Sequence, residues 1–287
     1  MSEASLVGQK TSSPGGGSNH SLPDTQNSRD PRGVALQKVG IQGIRMPLVM
    51  GGWERAVNRT QTVSAVADAS VDLVAEQRGI HMSRLVLGLG RLAKPFHFSH
   101  LAEALDGLKQ AQGASAATLR LAFPYFVERA APVTGVVGPA AIETDYRGEI
   151  RDGKRTLWQS VTAPVKTLCP CSKEISDYGA HNQRGYVTVE LRHEFPEQSA
   201  AASPEICPEE IVEMIESSGS APIYPVLKRS DERHVTMQAY DNPAFVEDVA
   251  RNVVLKLKAD GRMHGFKVKV VNHESIHDHA AVAEVEG

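Results

Sequence analysis

Val63-Ser64-Ala65-Val66-Ala67-Asp68-Ala69-Ser70-Val71-Asp72-Leu73 is the stretch that decides the fold class. Every odd position is apolar, while Ser64, Asp68, Ser70 and Asp72 stand at even ones. Successive side chains of a strand point to opposite faces, so this alternation predicts a strand with one face buried, not a helix. Upstream, Val39, Ile41, Ile44, Met46 and Leu48 among glycines and polar residues predict a first strand beside it. Downstream, Ser99 reads as a cap for a helix carrying Leu101, Ala102, Leu105 and Leu108 at three- and four-residue spacing. Two more strands are expected, over about 117–130 and 134–149.

The second half repeats this order. Strands are expected near 155–168 and 184–193, and helices over about 207–218 and 243–258. Asn242 is read as the cap of the latter, with Pro243 at its first helical position. A strand with Phe266, Val268 and Val270 inward follows, ending in a His-rich tail. Each half thus reads strand–strand–helix–helix–strand–strand, which predicts an α+β class with antiparallel sheets and helices on one face. The expected organisation is a disordered tail over 1–33, a first module over 34–150 and a second over 151–287. The tail, with Ser12-Ser13-Pro14-Gly15-Gly16-Gly17-Ser18, is too poor in apolar residues to offset chain entropy.

Composition narrows the function classes. The 287 residues carry 31 Lys+Arg against 34 Asp+Glu, a net charge of −3, which argues against a protein that coats nucleic acid or an anionic membrane. Three cysteines are too few for a disulfide scaffold, and Cys169 and Cys171 are too close to bridge without strain. Reduced thiols and a cytoplasmic setting are expected, with neither a signal peptide nor an apolar membrane span. No phosphate-cradling glycine loop is found; Gly88-Leu89-Gly90 lacks the third glycine.

The chemistry concentrates in Thr167-Leu168-Cys169-Pro170-Cys171-Ser172-Lys173-Glu174-Ile175-Ser176-Asp177-Tyr178-Gly179-Ala180-His181-Asn182-Gln183-Arg184-Gly185, read as a loop. A thiolate and an imidazole are half of a divalent metal site; the spacing is not that of a zinc finger, so further ligands must come from elsewhere. The plainer reading makes the cysteines buried small side chains and His181 a satisfied loop histidine. Two segments offer completing groups: the charged run Lys228-Arg229-Ser230-Asp231-Glu232-Arg233, read as a loop, and Asn272-His273-Glu274-Ser275-Ile276-His277-Asp278-His279. Glu247 and Asp248 lie among Phe245, Val246 and Val249, as surface acids or as an anchor for ligand donors. Cys207 is read as a packing residue.

Four motifs in order carry a resemblance: Gly-Ile-His-Met-Ser-Arg at 79–84, the Cys-Pro-Cys-Ser-Lys to His-Asn-Gln-Arg-Gly string, Asn-Pro-Ala-Phe-Val-Glu-Asp at 242–248 and Glu-Ser-Ile-His-Asp-His at 274–279. Together they resemble the prokaryotic type IB GTP cyclohydrolase I family over about residues 35–280. The resemblance implies a tunnelling fold of two tandem modules, a homotetramer with sites at module or subunit interfaces, and hydrolysis of GTP to 7,8-dihydroneopterin triphosphate and formate for folate or deazaguanine synthesis.

It also implies roles. Cys169, His181 and Glu232 match metal ligands, His277 is a weaker candidate, and the ion is zinc or manganese. A divalent metal lowers the pKa of a bound water toward ~7, which suits the hydration of guanine C8. Cys171 matches a cysteine needed for activity, with Lys173 favouring its thiolate. Glu274, or alternatively His279, is the candidate proton-transfer group. Glu247 matches a glutamate that accepts the guanine N1–H and N2 amino donors together. Arg78, His81, Arg84, Arg184, Lys228 and Arg229 are the candidate triphosphate cradle. Two other readings compete: a non-catalytic purine or pterin binder on the same fold, and a related nitrile reductase needing a nicotinamide cofactor and no metal.

Overall fold

The computed structural model describes residues 23–51, 60–197 and 205–287. Among them, one sheet runs in the order β1-β2-β3-β4-β5-β6-β8-β9, every neighbouring pair antiparallel. The first half supplies β1 (Leu36–Gly51), β2 (Thr60–Leu73), α1 (Met82–Leu89), α2 (His100–Gln112), β3 (Ala117–Ala130) and β4 (Val137–Arg151). The second supplies β5 (Lys154–Leu168), α3 (Pro170–Ile175), β6 (Asn182–Pro196), α4 (Pro208–Glu216), β7 (Ala221–Pro222), α5 (Arg229–Asp241), α6 (Val246–Asp260), β8 (Gly265–His273) and β9 (Ala280–Glu286). The short β7 pairs with β5 off the main path.

The alternation in β2 has its expected consequence: Val63, Ala65, Ala67, Ala69, Val71 and Leu73 are all buried. They face the helical layer, where α2 packs over β3 and β4, α4 over β5, and α6 over β8 and β9. The opposite face is polar. Arg120 Nε donates to Asp145 Oδ2 at 2.6 Å, and the Arg147 guanidinium lies 4.4 Å over the Trp158 ring. A two-residue turn at Asp152-Gly153 joins β4 to β5, so the two halves share one unbroken sheet.

Several sequence expectations need correction. The charged run at 228–233 is not a loop but the start of α5, which buries only Asp231, Val235 and Ala239. The 167–185 segment is not wholly loop, since it contains α3. Asn242 does not open α6; it closes α5, and α6 begins at Val246 with Phe245 as cap, whose N–H donates to Asp248 Oδ2 at 3.0 Å. Ser99 precedes α2 but makes no side-chain cap bond. The His-rich segment is no tail: it is the turn between β8 and β9. Of the expected tail, residues 1–22 lie outside the described residues. Residues 23–33 run beside 76–79 instead, through Asp30 N to Glu76 O, Arg78 N to Ser28 O and Gly79 N to Gln26 O.

Candidate functional site

Strands β5 and β6 bring the two halves of the Cys/His string face to face. Their ladder ends at Leu168 opposite Asn182, and one more rung follows, Cys169 N donating to His181 O at 3.1 Å. Between these points the chain makes α3. Cys169 is its N-cap, Sγ accepting from Ser172 N at 3.4 Å, and Pro170 holds the first helical position where no N–H is needed. Ser172 Oγ accepts from His181 N at 3.2 Å. The eleven-residue excursion between Cys169 and His181 is therefore held by a helix cap and a strand rung.

The imidazole of His181 is oriented from behind. Its Nδ1 lies 3.0 Å from Gln183 Oε1, and Gln183 Nε2 donates to Thr167 Oγ1 at 3.0 Å. Thr167 and Gln183 are paired residues whose side chains point into the buried face of the sheet. With Gln183 accepting, Nδ1 carries the proton and Nε2 keeps its lone pair, the arrangement in which a histidine ligates a cation. Glu274 Oε2 comes to 4.0 Å of the same ring. Gly185 lets β8 approach: a Cβ there would collide with the buried Asn272 Oδ1, two residues before Glu274.

The neighbouring residues take different places. Cys171 is exposed on the first turn of α3. Lys173 is not turned to that thiol; Nζ donates to Tyr240 O at 2.6 Å and lies 4.3 Å over the Tyr240 ring, binding a terminal carbonyl of α5. Glu247 is exposed on the first turn of α6, whose entry is tied to the site where Ala244 N donates to Leu168 O at 3.0 Å. An 850 Å³ cleft lined by Ser217, Ser220, Asn242 and Asn252 opens beside that tie. His277 and His279 stack at 4.9 Å in the exposed β8–β9 turn. Arg184 is exposed on β6 opposite Lys166.

Lys228, Arg229 and Glu232 project from the other end of α5, all exposed. Eight residues separate Glu232 from Tyr240, about 12 Å along the helix axis at ~1.5 Å per residue. Among the described residues, no three His, Cys, Asp or Glu side chains gather closely enough to hold a metal ion. Arg78, His81 and Arg84 lie farther away. β2 and β5 run in opposite directions, separated by two antiparallel strands, so β2 delivers these three residues to the sheet end opposite Cys169. There His81 Nε2 faces Asp24 Oδ2 at 3.4 Å, and Arg84 Nη1 donates to Ala111 O at 3.2 Å.

Pattern reading missed Gln183, Thr167 and Ser172, the residues that orient the Cys/His pair. The one signal available was the odd-numbered register of β6, in which Gln183 occupies a buried position ahead of Val187, Val189 and Leu191. Cys207 is buried at the cap of α4, and burial pushes its thiol up to about 12, in keeping with a packing role.

A thiol and an oriented imidazole fit part of the donor set of a borderline divalent ion. A family model described as type I GTP cyclohydrolase FolE2 matches residues 22–283. The GTP cyclohydrolase FolE2 of Caldicellulosiruptor bescii is 44% identical over 264 residues, covering 92% of this chain and 98% of that protein. That of Cupriavidus necator is 38% identical over 267 residues, covering 92% and 94%. Among solved structures, a uricase from Bacillus fastidious superposes with a TM-score of 0.51 at 7% identity, covering 88% of this chain and 93% of that one, which shows the tunnelling fold and nothing more. No helix among the described residues is long and apolar enough to cross a membrane. The match spans both sheet halves and all four chemical motifs, and the chain belongs to the type I GTP cyclohydrolase FolE2 family.

Proposed function

We propose that this chain hydrolyses GTP to 7,8-dihydroneopterin triphosphate and formate, the reaction that opens tetrahydrofolate biosynthesis, and that it works in the cytoplasm. The observation that carries the reading is the Cys169–His181 rung, with His181 Nδ1 3.0 Å from Gln183 Oε1 and 4.0 Å from Glu274 Oε2, which leaves the lone pair of Nε2 for a ligand. Cys169 and His181 would hold a divalent metal, zinc or manganese, with Glu232 and His277 as the remaining candidates. When bound, the metal supplies Lewis acidity that makes water nucleophilic at neutral pH.

The other residues position and move protons. Glu247 accepts guanine N1–H and N2–H together; adenine, with an acceptor at N1 and no N2 amino group, leaves that carboxylate unanswered. Glu274, with His279 as the alternative, passes protons as the imidazole ring of guanine opens. Cys171, exposed at the mouth of the site, contacts the C8 adduct or relays a proton. Lys228, Arg229 and Arg184 are the cradle for the triphosphate on this end of the sheet, and Arg78, His81 and Arg84 form its counterpart on the other.

Two groups at opposite sheet ends serve one substrate only if copies of the chain meet end to end, and we place the complete site between subunits of a homotetramer. Exposed apolar residues around the Cys/His string support that placement: Ile175 is 84% exposed, Ile276 62% and Tyr178 fully. Incubating the protein with GTP and manganese or zinc, then measuring formate and fluorescent pterin after oxidation, tests the activity; formate with neither metal overturns it. Glu247→Gln is expected to raise KM for GTP at least tenfold, and an unchanged KM removes the anchor role.

A further inference from the structure

Asp231 has no part in the roles above, yet its environment is unusual. It is fully buried on the first turn of α5. Its Oδ1 accepts from Val133 N and Thr134 N, each at 2.8 Å, and its Oδ2 from Thr134 Oγ1 at 2.7 Å and Lys228 N at 2.9 Å. All four donors are neutral. A buried carboxylate without a counter-charge persists only where such donors replace water.

Three of those donors belong to the turn between β3 and β4, in the first half of the chain, and the fourth is the N-cap N–H of α5 in the second half. The turn is itself tight, with Ala131 N donating to Val136 O at 2.9 Å and Gly135 in the left-handed region at φ 69°. One side chain thus fastens the start of α5 to a rigid turn across the module boundary. Residues on a helix are spaced by about 100°, so holding Asp231 inward sets the direction in which Lys228, Arg229 and Glu232 point outward.

We propose that Asp231 is a positioning residue, riveting the first turn of α5 to the β3–β4 turn so that Glu232 is presented to the metal and Lys228 and Arg229 to phosphate. This rests on Glu232 being a metal ligand. Manganese affinity of the full-length protein, measured by competition with a chelator, tests it without turnover. Asp231→Asn puts an amide against two of the four donors and is expected to weaken manganese binding 10- to 100-fold. Thr134→Val, which removes only the hydroxyl donor, is expected to weaken it two- to tenfold. Ile215→Val, thinning the core beneath α4, is expected to lower stability and leave affinity unchanged. Glu232→Gln reports on the underlying reading. If it weakens binding while Asp231→Asn does not, the positioning role is overturned; if Glu232→Gln binds manganese like the parent, the ligand reading fails and takes the rivet's purpose with it. Should Asp231→Asn not fold, wild-type affinity in Thr134→Val overturns the proposal.

Discussion

Gln183→Leu separates the orientation of His181 from the stability of the sheet around it. Leucine is close to glutamine in volume and matches the buried setting, so packing is little disturbed, but two polar groups lose their partner. Thr167 Oγ1 lies at a fully buried residue, and His181 Nδ1 on a side chain that is 15% exposed. Leaving a buried group unpaired costs about 1–3 kcal/mol, with the partly wet ring at the low end. Burial of the leucine carbon offsets on the order of 1 kcal/mol. The metal-free variant is therefore expected to lose about 2 kcal/mol, read as a lower urea midpoint at constant slope. Metal affinity is expected to fall 10- to 100-fold, because the imidazole is released to turn and the proton on Nδ1 is no longer fixed. Gln183→Glu provides the contrast: its carboxylate accepts from both Nδ1–H and the Thr167 hydroxyl, and affinity is expected to stay within threefold of the parent. A Gln183→Leu protein that loses the stability but binds metal as the parent does would refute the reasoning, since His181 Nε2 would then not be a ligand.

Two further outcomes concern the scaffold. Burial, with a smaller contribution from His264, pushes His193 down to about 4 from its ordinary 6.5. As pH falls from 6.5 to 4 the unfolded chain takes up a proton that the folded chain refuses, so stability drops across that window by up to about 3 kcal/mol. His193→Leu should flatten the difference between urea midpoints at pH 7 and 4.5; an unchanged difference assigns the acid sensitivity elsewhere. A Cβ on Gly148 of β4 would meet Leu105 Cδ1 at 2.6 Å, Leu157 Cδ2 at 3.0 Å and Leu101 Cδ2 at 3.1 Å. Gly148→Ala is expected to cost about 1–3 kcal/mol by overpacking, and equal urea midpoints would show that α2 shifts freely.

What pattern alone revealed follows from where apolar side chains are spent. β2 was legible because each odd residue lies under the helical layer, and α2 because Leu101, Leu105 and Leu108 make one buried stripe. The helix α5 was not legible. Its buried face is Asp231, Val235 and Ala239, so a carboxylate stands where the periodicity of a helix calls for an apolar residue, and the run reads as charged surface. Asn242-Pro243 did mark a boundary, but a proline also follows helix ends, and here it marks the end of α5. β9 escaped notice because Ala281, Ala283 and Val285 are small and only half-buried. At the proposed site, Cys169, His181 and Glu274 were singled out by residue type alone. Gln183 and Asp231 are polar residues at positions whose burial is decided by strands and turns distant in sequence.

The placement of chemistry at one end of the sheet has a topological origin. In an antiparallel sheet read in chain order, successive connections alternate between the two ends. The β3–β4 turn, the β5–α3–β6 connection and the β8–β9 turn all fall at the same end, and they carry the anchor for Asp231, the Cys/His rung and Glu274 respectively. The β4–β5 turn at Asp152-Gly153 falls at the other end together with the Arg78–Arg84 segment after β2. Because a single two-residue turn joins the halves within one antiparallel sheet, the parity of the first half is carried without interruption into the second. A one-strand insertion between β4 and β5 would reverse that parity and send Cys169, His181 and Glu274 to the end where Arg78, His81 and Arg84 now stand. Joining the halves directly keeps the thiol–imidazole pair and Arg78, His81 and Arg84 at opposite ends of the sheet, and this separation is the ground on which we propose a site shared between copies of the chain.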